Sequence, residues 1–129
     1  MKLFKPILLL ALVLGLTACV TVKPEEPVVV NGFAGYLEDV TLPQGSTINI
    51  AVIDFDTPGA IIAQKNFDIV RAPVPFKFIF KKEMIDSSVN YGVVAMISYN
   101  GRVLFQTYDK FEVINNGKLT TEVLMKPVK

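Results

Sequence analysis

The sequence predicts an all-β domain, an antiparallel β-sandwich of about seven strands, carried behind a cleaved lipoprotein leader. Three observations predict it: apolar residues recur with period two along most of the chain, turn signals separate these runs at short intervals, and the first 19 residues are apolar behind a basic start. With 129 residues, 51% of them apolar, the chain can bury a sizeable core as one domain.

Residues 1–18 are expected to be the leader. Lys2 and Lys5 precede an apolar run from Ile7 to Leu16, too short for a transmembrane helix, which takes roughly 20 apolar residues. Leu16-Thr17-Ala18-Cys19 resembles the lipobox of bacterial lipoproteins. That resemblance implies a thioether-linked diacylglycerol on Cys19, cleavage before it and acylation of the new amino group. Each buried methylene contributes about 0.8 kcal/mol, so two or more acyl chains hold a protein at a bilayer. An ordinary secreted protein with one free thiol is the competing reading, but a lone thiol in an oxidising compartment is a liability that lipidation removes. Val20 at the next position, rather than aspartate, points by the same resemblance to the outer membrane, with the domain facing the periplasm. Residues 19–31 then read as a lipid-anchored linker: prolines at 24 and 27 and glutamates at 25 and 26 favour an extended spacer of roughly 3 Å per residue.

The domain is expected over residues 32–129. Its first strand runs roughly from Gly32 to Asp39. The second, INIAVID, sets Ile48, Ile50 and Val52 on one face. In the third, IIAQKNFDI, Lys65 interrupts the apolar face of Ile61, Ala63, Phe67 and Ile69, as at a sheet edge or a bulge. The fourth, PFKFIF, stacks Phe76, Phe78 and Phe80, each worth about 1.5–3 kcal/mol on burial. KKEMIDSSVN is polar enough for a turn or one short helical turn. The fifth strand, YGVVAMISY, is apolar on both faces and so central; Asn100-Gly101 after it suits a two-residue type I′ hairpin. The sixth, RVLFQTYDKFEVI, is long enough to bend or divide around Tyr108 to Lys110. Asn115-Asn116-Gly117 turns the chain into the seventh, KLTTEVLM, where Leu119, Thr121, Val123 and Met125 alternate with Thr120, Glu122 and Leu124. Such a series fits an immunoglobulin- or transthyretin-like sandwich, with a small barrel as the alternative.

Chemistry-bearing candidates are few. Histidine, the commonest general acid/base and zinc ligand, is missing from the sequence. Ser87-Ser88 therefore cannot form a Ser-His-Asp triad, and no catalytic residue is expected. Glu38-Asp39 and Asp54-Phe55-Asp56 lack the spacing of a calcium loop, and DFDTPG reads as a strand end entering a turn. No metal or cofactor is expected. Removing Lys2 and Lys5 from the count leaves 11 basic against 12 acidic side chains, which gives no footprint for nucleic acid. Arg71 and Lys81-Lys82 read as solvated loop residues rather than a lipid contact. Phe76, Phe78 and Phe80 read as core rather than pocket.

Three stretches, LPQGSTINIAVID, APVPFKFIF and NGRVLFQTYDKFEVINNG, together resemble the YbaY-type lipoproteins grouped with the YscW-type secretion pilotins. The shared landmarks are Leu42-Pro43 before a strand, Pro75-Phe76 opening another, and Leu104, Phe105 and Thr107 after a hairpin. The resemblance implies a periplasm-facing sandwich on a lipid anchor. Three roles follow as expectations: a non-enzymatic structural, envelope-maintenance or protein-binding lipoprotein as the leading one, a pilotin-like chaperone for a secretin, and a small-ligand or lipid-binding module. The expected partners are the membrane, through the anchor, and an envelope or secretin protein.

Overall fold

The computed structural model describes residues 26–128; the leader, Cys19 and most of the linker lie outside that range. Eight strands follow in order: β1 (Val28–Tyr36), β2 (Thr47–Asp54), β3 (Ile61–Asp68), β4 (Val74–Phe80), β5 (Tyr91–Tyr99), β6 (Arg102–Gln106), β7 (Phe111–Val113) and β8 (Thr120–Pro127). One 3₁₀ turn, Lys82–Met84, interrupts them inside the polar KKEMIDSSVN stretch.

The strands form one path, β3-β2-β5-β6-β8-β1-β4, in a nearly closed, barrel-like sheet, with β7 continuing on β5 beside β6. The strands of the group β8-β1-β4 and those of the group β3-β2-β5-β6 contribute to one core. On one side the two groups join through a short β6–β8 pairing, Phe105 with Pro127 and Gln106 with Lys126. On the other side the path ends in two edges, β3 and β4.

Period two decides which residues enter the core. Ile48, Ile50 and Val52 of β2, Val93, Ala95 and Ile97 of β5, and Val123 and Met125 of β8 are buried. Phe76, Phe78 and Phe80 of β4 are buried beside them, their ring centroids 6.0 and 6.3 Å apart in sequence. Tyr36 stacks on Phe105 at 4.5 Å and ties β1 to β6 across the core. β5 is central, as its apolar sequence predicts, paired with β2 on one edge and with β6 and β7 on the other. At its end, Asn100 and Gly101 have φ of 50° and 75°, as a type I′ hairpin requires.

The structure differs from the sequence expectation in three places. There are eight strands rather than about seven, because the sixth takes the division allowed for it around Tyr108 to Lys110 and becomes β6 and β7. The sheet is not wholly antiparallel: β1 and β8 run parallel, Asn31 opposite Thr120 through Tyr36 opposite Met125. These are the first and last strands, so the intervening chain supplies the long crossover that parallel neighbours need. Finally, Val28 to Asn31, placed in the linker by sequence, begin β1 and pair with Phe80 to Lys77. The uniform VVV run hides their alternation, since Val30 is buried while Val28 and Val29 are only partly covered.

Candidate functional site

The feature best suited to hold another molecule is an open groove of about 710 Å³ where β1 and β8 end. Its floor and walls are Leu37 after β1, Leu124, Met125 and Pro127 of β8, Val128, and Tyr108 from the β6–β7 connection. Strand parity brings these residues together. Val30 and Ala34 point inward from β1, so Phe33 points out and is 52% exposed. Leu37, just past the strand, is 82% exposed. On β8, Val123 and Met125 enter the core and Leu124 between them faces out. A smaller depression of about 150 Å³ shares Leu37 and Leu124 and continues along Phe33, Gly35 and Pro73, so groove and depression form one strip, apolar except for Glu122 in the depression. The absence of a side chain at Gly35, opposite Leu124 in the parallel register, lowers the strip at its middle.

Charge lies at the rim. Glu38 and Lys126 border the groove, and Lys126 approaches Asp109 at 3.8 Å. Both partners of that pair are solvated, so it contributes at most about 1 kcal/mol to stability. An apolar centre with a charged rim is the anatomy of a protein-docking surface.

The other sequence candidates have structural employment. Asp54 Oδ1 accepts the N–H groups of Asp56 and Thr57 at 2.7 and 3.2 Å, and Asp56 accepts the main-chain and side-chain N–H groups of Asn90 at 2.9 and 3.2 Å. These bonds close the DFDTPG turn and tie it to the start of β5. Ser88 donates its hydroxyl to Asp86 Oδ1 at 2.7 Å and its N–H at 2.9 Å; both bonds hold the Asp86 carboxyl below the usual carboxylate range. Ser87 lies beside it in the same turn. Asn115 binds the carbonyls of Asp86 and Val89 at 2.8 and 2.7 Å, fixing that loop against the β7–β8 turn. Arg71 donates to Thr41 at 3.2 Å. Lys81 and Lys82 border a shallow hollow of about 360 Å³ with Pro27 and Glu83, at the opposite end of β1 from the groove. Glu38 reaches the groove, whereas Asp39 stays in the exposed loop after β1. Leu16, Thr17, Ala18 and Cys19 lie outside the described residues.

Apart from Glu38, the groove is not among the residues singled out by sequence. Leu37, Tyr108 and Leu124 come from the end of β1, the β6–β7 connection and the outer side of β8, and only the fold brings them together. The outward phase of Leu124 in KLTTEVLM was the one available signal.

The YscW family model, described as the type III secretion system lipoprotein chaperone, matches residues 25–125. Among solved structures, an alternative pilotin from the type II secretion system of Vibrio cholerae is similar, with a TM-score of 0.73 and 23% identity over 81% of this chain and 99% of that one. At that identity the likeness is one of fold. No curated protein sequence matches the chain.

Proposed function

The chain belongs to the YscW family, and from that premise we propose that it is a pilotin-like lipoprotein chaperone that holds a secretin subunit in the envelope through the Leu37–Tyr108–Leu124 groove. Pilotin-like binding, the second of the three roles expected from sequence, is favoured over a general structural role because the family is described as a chaperone. The observation that carries the reading is the groove: a large, mostly apolar surface with Glu38 and Lys126 as its charged lining residues.

In this reading Cys19 carries the lipid, residues 19–27 form the tether, and the two strand groups act as the layers of a sandwich facing the periplasm at the outer membrane. β1 begins where the tether ends and carries the chain nine residues towards the groove, a distance of roughly 30 Å at about 3.3 Å per residue. The groove therefore opens on the end of the domain away from the anchor, where a partner has access. Seating an apolar segment there buries Leu37 and the Tyr108 ring, each contributing about 1.5–3 kcal/mol.

The test is recovery of a secretin subunit with the affinity-tagged lipoprotein from detergent-solubilised membranes. Leu37→Asp with Tyr108→Ala should lower recovery at least tenfold, the equivalent of about 1.4 kcal/mol, while leaving thermal unfolding near that of the wild type. Equal recovery by the double variant would remove the groove from the proposal.

A further inference from the structure

Among the described residues the two ends of the strand path, β3 and β4, each lack a strand neighbour on one side, yet one side chain crosses the seam between them. Lys65 of β3 stands opposite Ile50 of β2, which is fully buried, so sheet parity turns Lys65 towards the inner face. Its Nζ donates to the main-chain carbonyl of Lys77 at 2.6 Å and lies 5.3 Å from the centroid of the Phe78 ring. An inward-pointing lysine on an edge strand blocks indiscriminate strand pairing. Here it also bridges the seam: its flexible four-carbon stem and terminal hydrogen bond join β3 to the free edge of β4.

The free main-chain groups of β4 are set by the register. Asn31, opposite Lys77, donates its N–H to Leu119 on the far side of β1. The Asn31–Lys77 pair is therefore the non-hydrogen-bonded kind, and the N–H and C=O groups of Lys77 and Ile79 point into the seam. Pro75 is in the same phase, where its missing N–H costs the β1–β4 ladder nothing. Phe67, on the same side of β3 as Lys65, remains 37% exposed and gives the seam an apolar wall.

We propose that the β3–β4 seam is a second docking site, separate from the groove, for one extended peptide strand carrying a carboxylate. The strand pairs its main chain with Lys77 and Ile79, and its carboxylate replaces the Lys77 carbonyl as the partner of the Lys65 ammonium. The Lys65 ammonium selects the carboxylate, because it already seeks an acceptor on β4 and an ionised acceptor binds an ammonium more strongly than a neutral carbonyl; Lys77 on the outer face of β4 adds a second positive charge against the one carboxylate of β3, Asp68. Lys65 is then a latch that excludes strands lacking the acid.

The experiment is amide hydrogen exchange on the isotopically labelled full chain in detergent with two probes: a peptide alternating valine and serine around a central glutamate, and its glutamine counterpart. The glutamate peptide should slow exchange at the Lys77 and Ile79 amides at least about tenfold and bind at least about fivefold tighter than the glutamine peptide. Lys65→Met should bind both alike. Ile79→Pro, which deletes one seam-facing donor, should abolish protection at Lys77 with the fold retained. The Leu37→Asp variant should behave as wild type, which separates this site from the groove. Absence of protection on β4, equal affinity of the two peptides for wild type, or effects confined to the groove would each overturn the proposal.

Discussion

Gly32→Ala should cripple the domain, and the reason lies in one contact between strands. Gly32 sits in β1 between Thr121 of β8 and Phe76 of β4. A Cβ placed on it would overlap the main-chain carbonyl of Thr121 and come within 3.1 Å of Phe76 Cζ. The phenylalanine ring can tilt away; the carbonyl belongs to the paired neighbour and moves only if β1 and β8 separate. Overpacking typically costs about 1–3 kcal/mol, and each lost ladder bond adds about 0.5–1.5 kcal/mol. A loss of about 3–4 kcal/mol is expected, a large part of the ~5–15 kcal/mol that stabilises a domain. Urea unfolding of wild type, Gly32→Ala and Gly59→Ala measures it. Gly59 has φ of 81° and open space around its Cβ direction, so that control should lose only about 1 kcal/mol from backbone strain. A Gly32→Ala variant within about 0.5 kcal/mol of wild type would refute the close approach of β1 to β8.

Two further predictions concern single groups. Asp86 should titrate below an ordinary aspartate, and Ser88→Ala should return its midpoint upward in a carbon-detected NMR titration; because the folded carboxyl is the more acidic, its contribution is present above the unfolded value and fades as pH falls through the folded one. An unchanged midpoint in the variant would exclude Ser88 as the cause. Cys19→Ala should abolish incorporation of a fatty-acid analogue and release the protein from membranes, whereas equal labelling of both forms would remove the anchor.

Most of the β pattern was legible because one face of each strand is buried and the other is wet. INIAVID, PFKFIF and YGVVAMISY declare their phase in alternating or doubly apolar residues, and Asn100-Gly101 declares its turn by the positive φ at both positions. Lys65 was legible as an edge signal, since a charge on an otherwise apolar face needs an opening to solvent. What it reaches was not, because the Lys77 carbonyl is brought near only by the closure of the whole sheet. The start of β1 was hidden by valines on both of its faces. The parallel β1–β8 pairing was hidden for a different reason: no local turn specifies contact between the two ends of the domain. The groove was illegible for the same reason, as Leu37, Tyr108 and Leu124 come from three separate segments. The family resemblance carried by LPQGST, APVPFKF and NGRVLFQTYDKF reached the right relatives, because those stretches fix turns and strand starts that the fold requires.

The most direct test of the chaperone reading is site-specific photo-crosslinking in living cells, with a benzophenone amino acid placed at Tyr108 in the groove or at Asn116 in the β7–β8 turn. The account predicts a crosslink from position 108 to a secretin subunit and none from position 116. Secretin crosslinks of equal yield from both positions, or from neither, would contradict it.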